Sequence, residues 1–92
     1  MKFCVIGLGR FGYQVATTLA DNGMDVLAID NNESTIASIR DKVTQAICMQ
    51  VSNEESLRAI GVEDMDTVIV AMSENFSESI ELSPSQVADV LD

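Results

Sequence analysis

The run Gly7-Leu8-Gly9-Arg10-Phe11-Gly12 follows the short apolar stretch Lys2-Phe3-Cys4-Val5-Ile6, and Asp30 ends the next such stretch. Strand, glycine loop, helix and acid-terminated strand, in that order, are the parts of a dinucleotide-binding fold. Each glycine has a mechanical task. Gly7 lets the chain turn sharply as it leaves the strand. Gly9 carries no side chain, so a phosphate can approach the amides at the start of the helix. Gly12 lets that helix pack closely on the sheet. The helix N-terminus then offers unpaired N–H groups and the positive end of its dipole to an anion. Asp30 can accept hydrogen bonds from both hydroxyls of a ribose, and its charge would repel a 2′-phosphate.

The rest of the chain alternates strand and helix signals with no linker, repeat or low-complexity stretch. The first helix is expected from about Phe11 to Asp21, with Phe11, Val15, Leu19 and Ala20 as its apolar stripe. Asn22-Gly23 ends it. A buried strand follows over Asp25–Ile29, and Asn31 or Asn32 can cap a second helix whose Ile36, Ala37 and Ile39 face the sheet. The third strand is Gln45–Met49. Ser52 and Glu55 form a capping box for a third helix, which carries Leu57 and Ile60 inward and stops at Gly61. Thr67–Ala71 is a continuous apolar run, as a central parallel strand requires. A fourth helix is expected from near Ser73 and includes Phe76 and Ile80.

This alternation predicts an α/β, Rossmann-like parallel sheet with right-handed crossovers and strand order 3-2-1-4. The sheet is expected to be truncated before strands five and six, leaving strand four at an open edge. Ser83-Pro84-Ser85-Gln86 offers a further N-cap, so residues 81–92 read as a short amphipathic helix, separate from a nucleotide-binding unit over residues 1–80.

Charge and composition narrow the function. The 92 residues carry a net charge of −10, of which residues 1–52 contribute −1 and residues 53–92 contribute −9. Such a surface repels nucleic acid and anionic lipid. No apolar run approaches the ~18 residues of a membrane span, so direct membrane insertion is not expected. Cys4 and Cys48 each sit in an apolar run and read as buried small hydrophobes. With no histidine and no CxxC spacing, a zinc site is not expected.

The candidate site residues gather at the C-terminal ends of the strands. Gly7, Leu8, Gly9, Arg10, Phe11 and Gly12 form the phosphate loop. Arg10 can reach a β- or γ-phosphate or be an ordinary exposed arginine. Asp30 is the ribose candidate, and Asn31 and Asn32 can touch the ribose or cap the helix. Gln50 and Val51 lie where an adenine ring would rest. Ala71, Met72 and Ser73 close the crevice. No side chain is placed to transfer a proton beside a substrate carbonyl, which argues against hydride chemistry.

Val5–Gly12, then Val26-Leu27-Ala28-Ile29-Asp30-Asn31-Asn32, then Asp66–Met72 together resemble an RCK/KTN (TrkA-N) domain. This is the N-terminal domain of regulatory subunits in bacterial Trk/Ktr potassium uptake systems. The resemblance covers about residues 1–80, and Arg-Phe within the loop is more typical of it than of dehydrogenases. It implies a cytoplasmic regulator that binds ATP, ADP, NAD or NADH; the Asp30 charge argues against NADP, and the missing proton-transfer groups argue against catalysis. It also implies a homo-oligomer, peripheral to the inner membrane through a potassium channel or transporter subunit. By position, Gly7, Gly9, Arg10 and Gly12 would hold phosphates, Asp30 the ribose, and Gln50-Val51 the base. The family often has an acid where this chain has Gln50. The alternative is the cofactor-binding half of an NAD-dependent oxidoreductase. A mononucleotide needs only this half of a Rossmann fold.

Overall fold

The computed structural model describes residues 1–50, 58–59, 61, 64–71 and 80–82. In chain order the elements are β1 (Lys2–Ile6), α1 (Arg10–Asp21), β2 (Asp25–Asp30), α2 (Glu33–Ile39), β3 (Gln45–Cys48), β4 (Thr67–Val70) and β5 (Ile80–Leu82). β1 pairs in parallel with β2 (Val5 opposite Ala28) and with β4 (Val5 opposite Ile69), and β2 pairs in parallel with β3. The parallel order 3-2-1-4 expected from the β/α alternation is therefore present.

The sheet does not stop there. β5 runs antiparallel along the outer side of β4, with Val70 opposite Ile80 and Val68 opposite Leu82, giving the order β3-β2-β1-β4-β5. The expectation of an uncovered β4 is corrected, as is the placing of Ile80 in a fourth helix and of Glu81 and Leu82 in a terminal one. Ile80 stands four residues from Phe76, the spacing of one helix face, and Phe76 itself lies outside the described residues. A three-residue strand is too short to assert its own period-two pattern against that spacing. Of the other expected helical segments, Arg58 and Ala59 are helical and Gly61 takes φ +79°, as a helix-ending glycine does. The capping box at Ser52 and Glu55, the inward Leu57 and Ile60, and residues 83–92 lie outside the described residues.

Both faces of the sheet are apolar because the central strands are covered on both sides. One face carries Cys4, Ile6, Leu27, Ile29, Val68 and Val70. The other carries Val5, Val26, Ala28 and Ile69, packed against Ala16 of α1 and Ile36 and Ile39 of α2. A strand alternates its side chains, so Cys4 and Val5 fall into different layers of the core. Ile36 and Ile39 are essentially fully buried, and each contributes roughly 1.5–3 kcal/mol of hydrophobic stabilisation. Ala37, expected inside, is exposed. Residues three apart share a helix face, and its immediate neighbours do not.

α1 departs from its expected stripe in a more informative way. Its buried residues are Gly12 and Ala16, the two smallest on that face. The helix lies so close to the sheet that a Cβ at position 12 would overlap the Gly7 carbonyl oxygen and come within 3.1 Å of the Ala71 Cβ. Val15 and Leu19 pack only partly, on the flank. Phe11 remains 50% exposed, beside an open apolar groove formed with Gln14, Val15, Thr18 and Leu19. Helix-to-sheet distance, set by glycine and alanine, decides which residues go inside.

Gly12→Ala is expected to destabilise the fold by about 3 kcal/mol, at the upper end of overpacking costs, because the clash is with backbone rather than with a flexible side chain. Urea unfolding checks this, and a loss under about 1 kcal/mol would show that α1 shifts freely. The cysteines behave oppositely to one another. Cys4 is buried, whereas Cys48, on edge strand β3, is exposed, which corrects the reading of both as buried. Burial pushes the Cys4 thiol up to about 12, so at pH 8 it is almost wholly protonated and inert. A thiol reagent at pH 8 should label one cysteine per folded chain quickly and the second only after unfolding.

Candidate functional site

β1 lies between β2 and β4, so the chain leaving β1 enters the crevice where the connections diverge, at the C-terminal edge of the sheet. The ladders continue one residue past the strands. Gly7 N–H donates to the Ile29 carbonyl at 2.8 Å, and Ala71 N–H donates to the Ile6 carbonyl at 2.8 Å. Gly7 has φ +92°, a left-handed conformation that costs a side-chain-bearing residue about 1–2 kcal/mol. That turn aims the chain into α1.

Gly9 is the N-cap, in extended conformation (φ −66°, ψ −171°), with no side chain to cap the helix and no acid in the first turn. The first intrahelical bond is Tyr13 N–H to the Gly9 carbonyl, at 2.9 Å. The N–H groups of Arg10, Phe11 and Gly12 therefore precede the helical ladder and carry the positive end of its dipole. This donor set suits an anion. Here the absence of a side chain at Gly9 matters, rather than its backbone freedom.

Asp30 stands beside this loop at the end of β2. Its Oδ2 accepts from Leu8 N–H at 2.6 Å and its Oδ1 from Asn32 N–H at 2.9 Å. Asn32, not Asn31, caps α2, its Oδ1 accepting from Thr35 N–H at 3.1 Å; Asn31 is exposed beside it. The Asp30 carbonyl accepts from Met49 N–H at 2.9 Å, so Gln50 leaves the sheet next to the acid with its side chain exposed. The Leu8 side chain is buried in the core, and only its backbone serves the site. The Leu8–Asp30 bond was not legible in the sequence; the loop-plus-acid spacing brings the two together but does not say that they bond.

The remaining candidates divide. Arg10, the first residue of α1, is exposed at the loop. Ala71 is buried against Gly12, so its small size accommodates α1. Val51, Met72 and Ser73 lie outside the described residues. One turn into α1, Tyr13 links to α2: the Ser38 hydroxyl donates to the Tyr13 phenol oxygen at 3.0 Å, and the Lys42 ammonium sits 5.3 Å from the ring centroid. These two partners, Ser38 first, lower the phenol pKa from its ordinary value. Among the described residues, no cluster of three or more metal-ligating side chains occurs and no helix is long and apolar enough to cross a membrane.

Known proteins resemble the chain in sequence, and solved structures resemble it in fold. The chain is 39% identical over 79 residues to the Ktr system potassium uptake protein A of Vibrio alginolyticus, covering 86% of this chain and 36% of that protein. It is 35% identical over 79 residues to the Ktr system potassium uptake protein C of Bacillus subtilis, with the same coverage of each. The chain thus spans about a third of the length of these relatives. A solved NAD-dependent epimerase/dehydratase from Bacillus halodurans superposes with a TM-score of 0.62 at 16% identity, over 85% of this chain and 36% of that one. At that identity the likeness is one of fold, and the fold is Rossmann-like. The TrkA-N domain model matches residues 3–85, and the chain belongs to the TrkA-N domain family.

Proposed function

We propose that this domain binds an adenine nucleotide without turning it over, as a cytoplasmic sensor that regulates a potassium transport system. The observation that carries the reading is the juxtaposition of an uncapped helix N-terminus at Gly9–Gly12 with the Asp30 carboxylate on the neighbouring strand. Phosphates would lie on the first-turn amides of α1, with Arg10 beside them. The ribose hydroxyls would donate to Asp30, and the base would rest toward Gln50, with Val51, Met72 and Ser73 as further candidates from the sequence. ATP, ADP, NAD and NADH all carry this adenosine–phosphate unit. A 2′-phosphate would face the Asp30 carboxylate, which disfavours NADP.

The residues around the loop support binding without catalysis. The chain has no histidine, and its two lysines are Lys2 and Lys42. Lys2 begins β1, at the far end of the strand from the glycine turn, and Lys42 sits beyond α2 against Tyr13. Lys2 thus stands away from a group held at the loop, and Lys42 is engaged by the Tyr13 ring. The kinship with Ktr system proteins supports a membrane potassium transporter subunit as the partner. In this reading the domain works as a homo-oligomer, peripheral to the inner membrane, whose geometry follows nucleotide occupancy.

A thermal-shift panel of ATP, ADP, NAD, NADH and NADP tests the reading. Nucleotide at about 100 times its dissociation constant adds about 2.7 kcal/mol, a rise in Tm on the order of 10 °C for so short a chain. Absence of any shift with the first four would sink it. Titration calorimetry should show NADP binding at least about tenfold more weakly than NAD, equivalent to about 1.4 kcal/mol. That gap should close in Asp30→Ala, and equal affinities in the unaltered protein would remove Asp30 from the ribose site.

A further inference from the structure

We infer that Asp30 is a positioning residue for the phosphate loop, holding Leu8 and the turn into α1 in their binding shape before any ligand arrives. The inference rests on the nucleotide reading above and goes beyond it, because a ribose ligand need not touch the loop at all. The carboxylate joins two segments 22 residues apart through a part-buried 2.6 Å bond to the Leu8 amide, short even for a charge-assisted pair. Its other oxygen accepts from Asn32, which ties the same side chain to the cap of α2. Leu8 is anchored from the other direction too, its side chain being buried beneath α1 and α2. Between Gly7, turned at φ +92°, and Gly9, at the helix N-cap, this amide is the point where the loop is pinned from outside its own backbone.

A carboxylate has about four lone-pair positions. Two are taken by Leu8 and Asn32, which leaves two for ribose hydroxyls. Ribose and loop are then held at once, with no bond exchanged on binding. The consequence reverses an electrostatic expectation. If Asp30 served the ribose alone, its removal would leave binding of the phosphates untouched, or tighten it by deleting a negative charge nearby. As a positioning residue, its removal weakens phosphate binding even when the ligand has no hydroxyl to offer.

The test uses ATP and 2′,3′-dideoxy-ATP, which keeps base and triphosphate and lacks both ribose hydroxyls. Titration calorimetry on the unaltered protein, Asp30→Ala and the isosteric Asp30→Asn supplies the affinities, with urea unfolding of each as a check on folding. Asp30→Ala should weaken dideoxy-ATP at least tenfold. Asp30→Asn, which keeps one acceptor oxygen, should fall between, and it carries the test if Asp30→Ala does not fold. Unchanged or tighter binding of dideoxy-ATP in the variants overturns the inference and leaves the nucleotide reading standing. An unaltered protein that holds ATP but ignores dideoxy-ATP overturns it too, because a pre-shaped loop would still hold the triphosphate. If no nucleotide binds, the functional reading fails instead, and amide exchange of ligand-free protein decides the pin. Leu8 and Tyr13, whose N–H closes the first turn on the Gly9 carbonyl at 2.9 Å, should both exchange at least tenfold faster in Asp30→Ala, and unchanged Tyr13 exchange overturns the positioning role.

Discussion

Everything at the site depends on β1 being gripped from both sides past its own end. The Gly7 N–H reaches Ile29 on one flank, and the Ile6 carbonyl receives Ala71 on the other. These two hydrogen bonds fix the point at which the chain leaves the sheet. Gly12 then seats α1 against the Gly7 carbonyl and the Ala71 methyl, so the first turn of the helix has only one place to be. Backbone pairing, a left-handed turn and a missing Cβ act in series. A change in any one moves the donor amides relative to Asp30.

The sequence made the architecture legible wherever one pattern dominated. The apolar runs at Lys2–Ile6, Asp25–Asp30 and Thr67–Val70 bury residues on both faces, and continuous apolar character is what a central parallel strand demands. Gly7, Gly9 and Gly12 were legible because the backbone itself sets their spacing. Where two patterns competed, the local one misled. Phe11 belongs to a helical apolar stripe, yet the tight packing at Gly12 and Ala16 leaves it half exposed. Ile80 lies at helical spacing from Phe76 but pairs with Val70 in an antiparallel strand. Cys48 sits in an apolar run, but it ends the edge strand β3 and is exposed there.

Around the glycine loop, the sequence made the placement of residues legible but not the bonds between them. The sequence offers Asp30 as a hydroxyl acceptor and Leu8 as a loop residue, but a hydrogen bond between them is a tertiary fact. The same holds for Asn31 and Asn32, equivalent as letters until Asn32 takes the Thr35 amide. Ala71 illustrates the reverse case. A small residue at a strand end reads as space for a ligand, whereas the structure uses that space for the helix.

The two walls of the crevice differ in how far along the chain they come from. Leu8 and Asp30 are 22 residues apart. On the other side the Ala71 amide reaches back to the Ile6 carbonyl, a separation like the 64 residues between Lys2 and Asp66 at the opposite end of the same strand pair. Loop-closure entropy grows with the logarithm of that separation, so the second wall costs about 1 kcal/mol more to bring in. The glycine turn and the acid belong to a single βαβ unit made of near neighbours, and the α2 cap follows directly after it. The most local part of this fold is therefore also the part proposed to hold the nucleotide, and the more distant strands serve to enclose it.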